Sequence, residues 1–131
     1  MNPEKKFWYE IKAFNLKNNC ELSFTRVENS AAHGTPDLLG YNTSGHFFTV
    51  ELKLKKAKKI SFSPHQIGFH LTHPNNSFIM LKALGPLAIK LYEGKVIKEL
   101  DTQGLRLEAC SSGLEACFSR LAACGLPPAG A

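Results

Sequence analysis

Two carboxylates and a lysine in the first half of the chain have a spacing that could support phosphate chemistry. Asp37 is one of only two aspartates in the 131 residues, and Glu51-Leu52-Lys53 begins fourteen residues after it. Residues i and i+2 of a strand project from the same face, so Glu51 and Lys53 would share one face, opposite Leu52. If Asp37 lies on a neighbouring strand, its carboxylate can lie beside that of Glu51.

Two carboxylates on adjacent strands form a hard-oxygen site that suits Mg²⁺. This ion takes few protein carboxylates and keeps water and substrate phosphate oxygens as its other ligands. We therefore expect Asp37, Glu51 and the Leu52 carbonyl to hold Mg²⁺, for which Mn²⁺ can substitute. Lys53 would stand beside the ion, where its ammonium can orient the attacking water or stabilise charge on the phosphate. The expected catalytic residues are Asp37, Glu51 and Lys53.

The elements that must position these residues follow from apolar spacing in the first half of the chain. Phe7, Ile11 and Phe14 recur at helical intervals and predict a helix over residues 3–18. Alternating patterns predict strands over 21–29, 36–41 and 46–55. The last strand has four apolar residues on the face opposite Glu51, which indicates a strand buried on both sides.

The second half of the chain predicts a helix, more strands and a further helix. Ser63-Pro64-His65-Gln66 has an N-cap serine, a first-turn proline and a capping-box glutamine, so we expect a helix from there to about His73. The apolar run 78–84 predicts a buried central strand. We expect a strand pair over 88–93 and 95–100, a helix over 104–124 and a disordered end. This order is typical of an α/β domain around one sheet.

The site residues and their surroundings resemble a known family of nucleases. Pro36-Asp37, a spacer and Glu51-Leu52-Lys53 are similar to the signature of the PD-(D/E)XK nuclease superfamily. The segments TRVEN, GTPD, VELK and SPHQ more closely resemble its VRR-NUC-like and Holliday-junction-resolvase-like branch. The resemblance covers roughly residues 4–84. It implies a restriction-endonuclease-like fold, with a central mixed sheet flanked by helices, and metal-dependent hydrolysis of DNA. On this basis residues 1–100 form the nuclease core, and 101–131 form a C-terminal helix and tail of unknown role.

The resemblance also implies supporting residues around the metal. An acidic residue of the first helix often joins the metal ligands, and Glu10 or Glu4 could take that part, with Glu10 as our assignment. A glutamine after the lysine often supports the site, which points to Gln66, although the capping box alone explains this residue. Glu28 shares strand parity with Arg26, so it either lines the cleft or forms an ion pair there.

The charge distribution favours a polyanionic partner. The net charge is +5, and residues 1–100 carry 13 Lys and 1 Arg against 8 acidic residues, whereas the remainder is slightly acidic. A net charge of this size also serves solubility. Beside a phosphate-cleaving site, however, we expect a cluster of basic residues to bind the nucleic-acid backbone: Arg26, Lys55, Lys56, Lys58, Lys59 and His70.

The expected partner is DNA, recognised by structure rather than by base sequence. No segment resembles a base-reading helix, so shape readout is favoured. The resemblance to Holliday-junction-resolvase-like nucleases implies branched DNA as a natural candidate. Symmetric cutting of two strands needs two sites, which favours a homodimer. Two alternatives stay open, a non-catalytic nucleic-acid-binding module and an RNA-processing nuclease. A binding module has no need for Asp37, Glu51 and Lys53 together.

Several function classes are disfavoured by composition. The chain has no apolar stretch of the length that crosses a bilayer and no signal-peptide core, so we expect a cytoplasmic protein without a membrane partner. None of the four cysteines forms a CxxC pair, which argues against a zinc knuckle. Cys110, Cys117 and Cys124 are seven residues apart, so we expect buried thiols along one helix stripe.

Overall fold

The computed structural model describes residues 3–27, 34–55 and 60–126, which form four α-helices and six strands. In chain order these are α1 Pro3–Lys17, β1 Ser23–Arg26, β2 Leu38–Tyr41, β3 Phe47–Lys55, α2 Pro64–Thr72, β4 Ser77–Leu84, β5 Leu87–Glu93, α3 Ile97–Gln103, β6 Ser111–Ser112 and α4 Leu114–Ala122. Single 3₁₀ turns precede and follow α3, at Gly94–Val96 and Gly104–Arg106.

The strands form one mixed sheet in the order β1-β2-β3-β4-β5-β6. Every neighbouring pair is antiparallel except β3 and β4, which run parallel. A parallel pair requires a crossover between its strands, and α2 supplies it. β4 is buried along almost its whole length, so the prediction of a buried central strand over 78–84 is confirmed.

Helices cover both faces of the sheet, and an apolar cluster lies between the sheet and the helices on each face. On one face, α1 and α4 pack against the residues of β3 that alternate with Glu51, in a cluster that includes Phe7, Val50 and Phe118. On the other face, α3 and part of α2 pack against a cluster that includes Ile79 and Ile97. The second half of β3 is therefore enclosed from both sides, as the apolar pattern predicts.

The predicted strand over 95–100 is wrong. A 3₁₀ turn leads into α3 at this point, and the hairpin is instead formed by β4 and β5 around Gly85-Pro86. Ile97 and Leu100 follow Val96 by one and four residues, a spacing that places all three on one side of a helix. Ile97 and Leu100 are fully buried there, so tertiary packing decides between two locally acceptable patterns.

The predicted helix over 104–124 is shortened to α4. Gly113 has a φ of 87°, and Ser111–Ser112 adds a short strand to the edge of β5. Cys110 lies outside the helix and is exposed, whereas Cys117 and Cys124 are buried, so the predicted single stripe of buried thiols is wrong. α4 belongs to the same apolar cluster as α1. Most of the predicted disordered end falls outside the described residues.

Candidate active site

The start of β2 places Asp37 at an open edge of β3. Leu38, the first residue of β2, pairs with Val50, while β3 continues to Lys55. Asp37 Oδ2 accepts a hydrogen bond of 2.8 Å from the Leu52 N–H. The side chain thus replaces the backbone acceptor that β2 would have supplied, and it holds the carboxylate in the plane of the sheet beside β3.

The same hydrogen bond shows where the Leu52 carbonyl points. A strand residue directs its N–H and its C=O to the same side. Because the Leu52 N–H meets Asp37, the Leu52 carbonyl also faces the edge where Asp37 lies. The carbonyl and the Asp37 carboxylate are therefore two oxygen donors on one edge of β3.

The loop that carries Asp37 packs against the first turn of α2. A Cβ atom at Gly34 would lie 2.3 Å from the His65 carbonyl oxygen, and Gly34 has a φ of +82°. Both facts require glycine here. The predicted capping box is confirmed, since Ser63 N–H donates to Gln66 Oε1 at 3.0 Å and Gln66 N–H to Ser63 Oγ at 3.2 Å. A further supporting role for Gln66 stays a prediction.

Glu51 is a buried carboxyl next to Asp37. Only 3 % of the residue is exposed. The pKa of Glu51 is raised to about 10, first by burial and then by the hydrogen bond and the charge of Asp37, with a smaller contribution from Glu4. The structure thus brings the Asp37 and Glu51 carboxyls together, one from the sheet edge and one from the strand face that α2 covers.

Lys53 lies beside this pair on the same strand. Its ammonium lowers the pKa of both Glu51 and Glu4, so it acts on the two carboxyls at once. Lys53 Nζ is also 4.9 Å from the ring centroid of Phe62, an arrangement typical of a cation–π contact. The ring supports the lysine at one side while its charge remains available to the carboxyls.

On the first helix, Glu4 is the carboxylate that reaches the group. Partial burial of the carboxyl, the charge of Asp37 and a hydrogen bond to Asp37 raise the pKa of Glu4, in that order. Arg26, the last residue of β1, lowers the pKa of Glu4 and so lies near the same carboxyl. Arg26 is exposed at the rim of the site. Its predicted contact with the nucleic-acid backbone stays a prediction.

Glu10 occupies a different environment from Glu4. Its two oxygens accept hydrogen bonds of 2.6 and 2.8 Å from Lys82 Nζ. Six residues along a helix correspond to a rise of about 9 Å and a rotation of about 120°, so Glu4 and Glu10 face different neighbours. The structure does not bring Glu10 to the Asp37 group, and Glu4 is the acidic residue of α1 that lies there instead.

His70 is not a surface residue, so the prediction that it contacts nucleic acid is wrong. Its side chain is fully buried beneath the sheet. Nδ1 lies 2.5 Å from Ser77 Oγ, and Nε2 lies 4.0 Å from Glu51 Oε1. Burial, followed by the charge of His73, lowers the pKa of His70 to about 4. The helical repeat places His70 on the inner side of α2, where β4 covers it.

The other predicted backbone-binding residues are only partly described. Lys55 is half-buried at the end of β3, where it lines a surface depression with Asp101 and Thr102. Four predicted residues lie outside the described ranges: Glu28, Lys56, Lys58 and Lys59. The contacts of Lys56, Lys58 and Lys59 with DNA stay predictions, as does the role of Glu28, either in the cleft or in an ion pair with Arg26.

The donor set fits a cation that needs few protein ligands. Within 3–27, 34–55 and 60–126, no three His, Cys, Asp or Glu side chains are arranged to hold an ion by themselves. Mg²⁺ has no such requirement, because water and substrate oxygens complete its coordination. Among the same residues Glu51 Oε1 is buried without a hydrogen-bond partner. A nearby divalent cation would favour the ionised form of this carboxyl and so offset the cost of its burial.

Comparison with known proteins supports the fold. No protein-family model and no curated protein matches the chain. A solved structure, that of Hjc, a Holliday junction resolvase from the archaeal hyperthermophile Archaeoglobus fulgidus, is similar with a TM-score of 0.53 and 15 % sequence identity. The match covers 70 % of this chain and 78 % of that chain. The chain has a restriction-endonuclease-like fold.

The predicted α/β architecture, a mixed sheet flanked by helices, is therefore confirmed. The carboxylate group described above lies on β3, β2 and α1 of this fold. No described helix has the length and apolar character that a bilayer crossing requires.

Proposed function

We propose that the chain is a Mg²⁺-dependent endonuclease that hydrolyses phosphodiester bonds of structured DNA, in the manner of the VRR-NUC-like and Holliday-junction-resolvase-like branch of PD-(D/E)XK nucleases. The observation that carries this proposal is the convergence of the Asp37 and Glu51 carboxyls beside the Leu52 N–H, with Lys53 close enough to lower the pKa of Glu51. A nucleic-acid-binding module without catalysis would have no use for a buried carboxyl whose ionisation is this unfavourable.

Each residue of the group has a separate task in this proposal. Asp37, Glu51 and the Leu52 carbonyl would hold Mg²⁺, and Glu4 would contribute at the outer side. When bound, the ion would lower the pKa of a water ligand and polarise the phosphate. The hydrogen bond from the Leu52 N–H keeps Asp37 oriented before substrate arrives. Lys53 would stabilise the negative charge that develops on the phosphate oxygens.

Branched DNA is the substrate that the fold favours. The similar solved structure is described as a Holliday junction resolvase, and in this chain Arg26 lies exposed beside Glu4 at the rim of the carboxylate group. An exposed guanidinium there suits a phosphate of the backbone, which positions a duplex without reading its bases. Two-fold symmetric junctions have two equivalent scissile sites, so we propose a homodimer as the active form.

The test is a cleavage assay with four matched substrates. A four-way junction, a linear duplex of the same arm sequence, supercoiled plasmid and a single-stranded RNA are incubated with Mg²⁺, with Mn²⁺ and with a chelator. We expect cleavage of the junction with either ion and none with the chelator. Cleavage of RNA alone would establish an RNA-processing nuclease, and junction binding without cleavage in either ion would establish a binding module.

Substitutions connect the activity to the site. Asp37→Asn and Glu51→Gln should each reduce the single-turnover rate by more than the roughly 10–100-fold that loss of an outer-sphere partner costs. Glu115→Gln is the matched control, since Glu115 is an exposed carboxylate on α4. Thermal unfolding of all three variants verifies the fold. Undiminished cleavage by Asp37→Asn or Glu51→Gln would refute the assignment of these residues.

A further inference from the structure

His70 faces Glu51 from the interior of the protein. The Nε2 atom of His70 lies 4.0 Å from Oε1 of Glu51, and both residues are buried. Among the described residues, neither of these two atoms has a hydrogen-bond partner. Buried polar atoms are almost always paired, so two unpaired atoms that face each other mark an interaction that another state of the site completes.

The imidazole is held in place by groups from two other elements. Ser77, the first residue of β4, contacts Nδ1 through its Oγ. Gly94 lies against the same side of the ring, because a Cβ atom there would lie 2.5 Å from His70 Nδ1 and 2.6 Å from Ser77 Oγ. Only a glycine backbone allows this approach. The ring therefore keeps Nδ1 on Ser77 and Nε2 directed at Glu51.

We infer that His70 is a positioning residue, which donates from Nε2–H to Glu51 Oε1 and so leaves the other oxygen of Glu51 for the cation. The inference rests on the proposed function, since it concerns Glu51 as a metal ligand. In this arrangement the hydroxyl of Ser77 would donate to Nδ1, and the ring would carry its proton on Nε2. Outer-sphere hydrogen bonds of this kind orient ligating carboxylates.

The separation in this structure is longer than a hydrogen bond, whose N···O distance is about 2.7–3.2 Å. Hydrogen bonds of functional sites are often long before the ligand binds and shorten afterwards. A shift of Glu51 Oε1 by about 1 Å towards His70 Nε2 would bring the two atoms within hydrogen-bond distance.

Two neutral, polar substitutions separate positioning from packing. In His70→Gln the carboxamide nitrogen reaches the place of Nε2, so the donor to Glu51 is retained. In His70→Asn the carboxamide reaches only the place of Nδ1, so the contact with Ser77 is retained and the donor to Glu51 is lost. Both side chains are neutral, polar and smaller than imidazole, which makes each the control for the other.

The primary measurement is the affinity of the full chain for Mn²⁺ alone, by titration with electron paramagnetic resonance of the free ion. We expect His70→Asn to weaken Mn²⁺ binding by about 10–100-fold and His70→Gln to bind within a few-fold of the unaltered chain. Junction binding without metal should be equal in all three proteins. Single-turnover cleavage by His70→Asn should recover when Mn²⁺ is raised to saturation.

If His70→Asn does not fold, a less disruptive substitution tests the same role of His70. Ser77→Ala leaves the imidazole in place and removes only the donor to Nδ1, so Mn²⁺ affinity should fall by a smaller factor. Equal Mn²⁺ affinity in the unaltered chain, His70→Asn and Ser77→Ala would overturn the role of His70 and leave the proposed function standing. Absence of both Mn²⁺ binding and cleavage in the unaltered chain would overturn the proposed function, and the role of His70 with it.

Discussion

Glu51 should make the metal-free protein less stable as the pH rises. Its pKa is raised from 4.5 to about 10 in the folded chain, chiefly by burial, whereas in the unfolded chain it returns to its ordinary value. Between these values the folded state holds one proton more than the unfolded state. The free energy of unfolding therefore falls with increasing pH in this window, and the stabilisation is complete below pH 4.5.

The magnitude follows from the proton count. One proton corresponds to about 1.36 kcal/mol per pH unit, so the free energy of unfolding should fall by roughly 2 to 3 kcal/mol between pH 6 and pH 8. Both values lie well inside the window, so the result is insensitive to the exact pKa of Glu51. For a small domain with a urea m-value of about 1.5–2 kcal/mol/M, the unfolding midpoint should move down by between about 1 and 2 M.

The assay is urea unfolding in the presence of a chelator at pH 6, 7 and 8. Glu51→Gln is neutral at every pH and should lose this dependence, while Glu115→Gln should retain it. All three proteins contain the same five histidines, so the difference between their slopes reports the change at Glu51. Mg²⁺ would bind the ionised carboxylate and should flatten the dependence in the unaltered chain and in Glu115→Gln. Equal slopes in Glu51→Gln and the unaltered chain would refute the argument that Glu51 is buried as a neutral acid.

Three further predictions concern single residues of the site. Lys53→Ala should lower the single-turnover rate much more than metal-free DNA affinity, whereas Lys55→Ala should lower affinity and reduce the slope of log affinity against log salt by about 0.9; identical behaviour of both would make Lys53 only a phosphate contact. Glu4→Gln should weaken Mn²⁺ binding and Glu10→Gln should leave it unchanged, as measured by titration of the metal; the reverse order would restore Glu10 to the site. Gly34→Ala should abolish cleavage and lower the melting temperature, since its Cβ would collide with the first turn of α2; unaltered values of both would show that the loop packs elsewhere.

Short-range patterns in the sequence were enough to predict the parts of the site that depend on residues close together in the chain. Strand parity placed Glu51 and Lys53 on one face because the period of two is a property of any extended backbone. The start of α2 followed from Ser63 and Gln66, whose reciprocal hydrogen bonds need only three residues of separation. A nuclease-like fold followed from the same short segments through their resemblance to a family.

Where several residues have the same local sequence signal, contacts between distant segments select the ones that reach the site. Glu4 and Glu10 are both acidic residues of one helix, and the choice between them depends on Asp37 for one and on Lys82, 72 residues away, for the other. His70 carries the same local signal as an exposed histidine, and it is buried because β4 covers that side of α2. Periodicity states which residues share a face, but the partner of each face is set by contacts between segments that are distant in the chain.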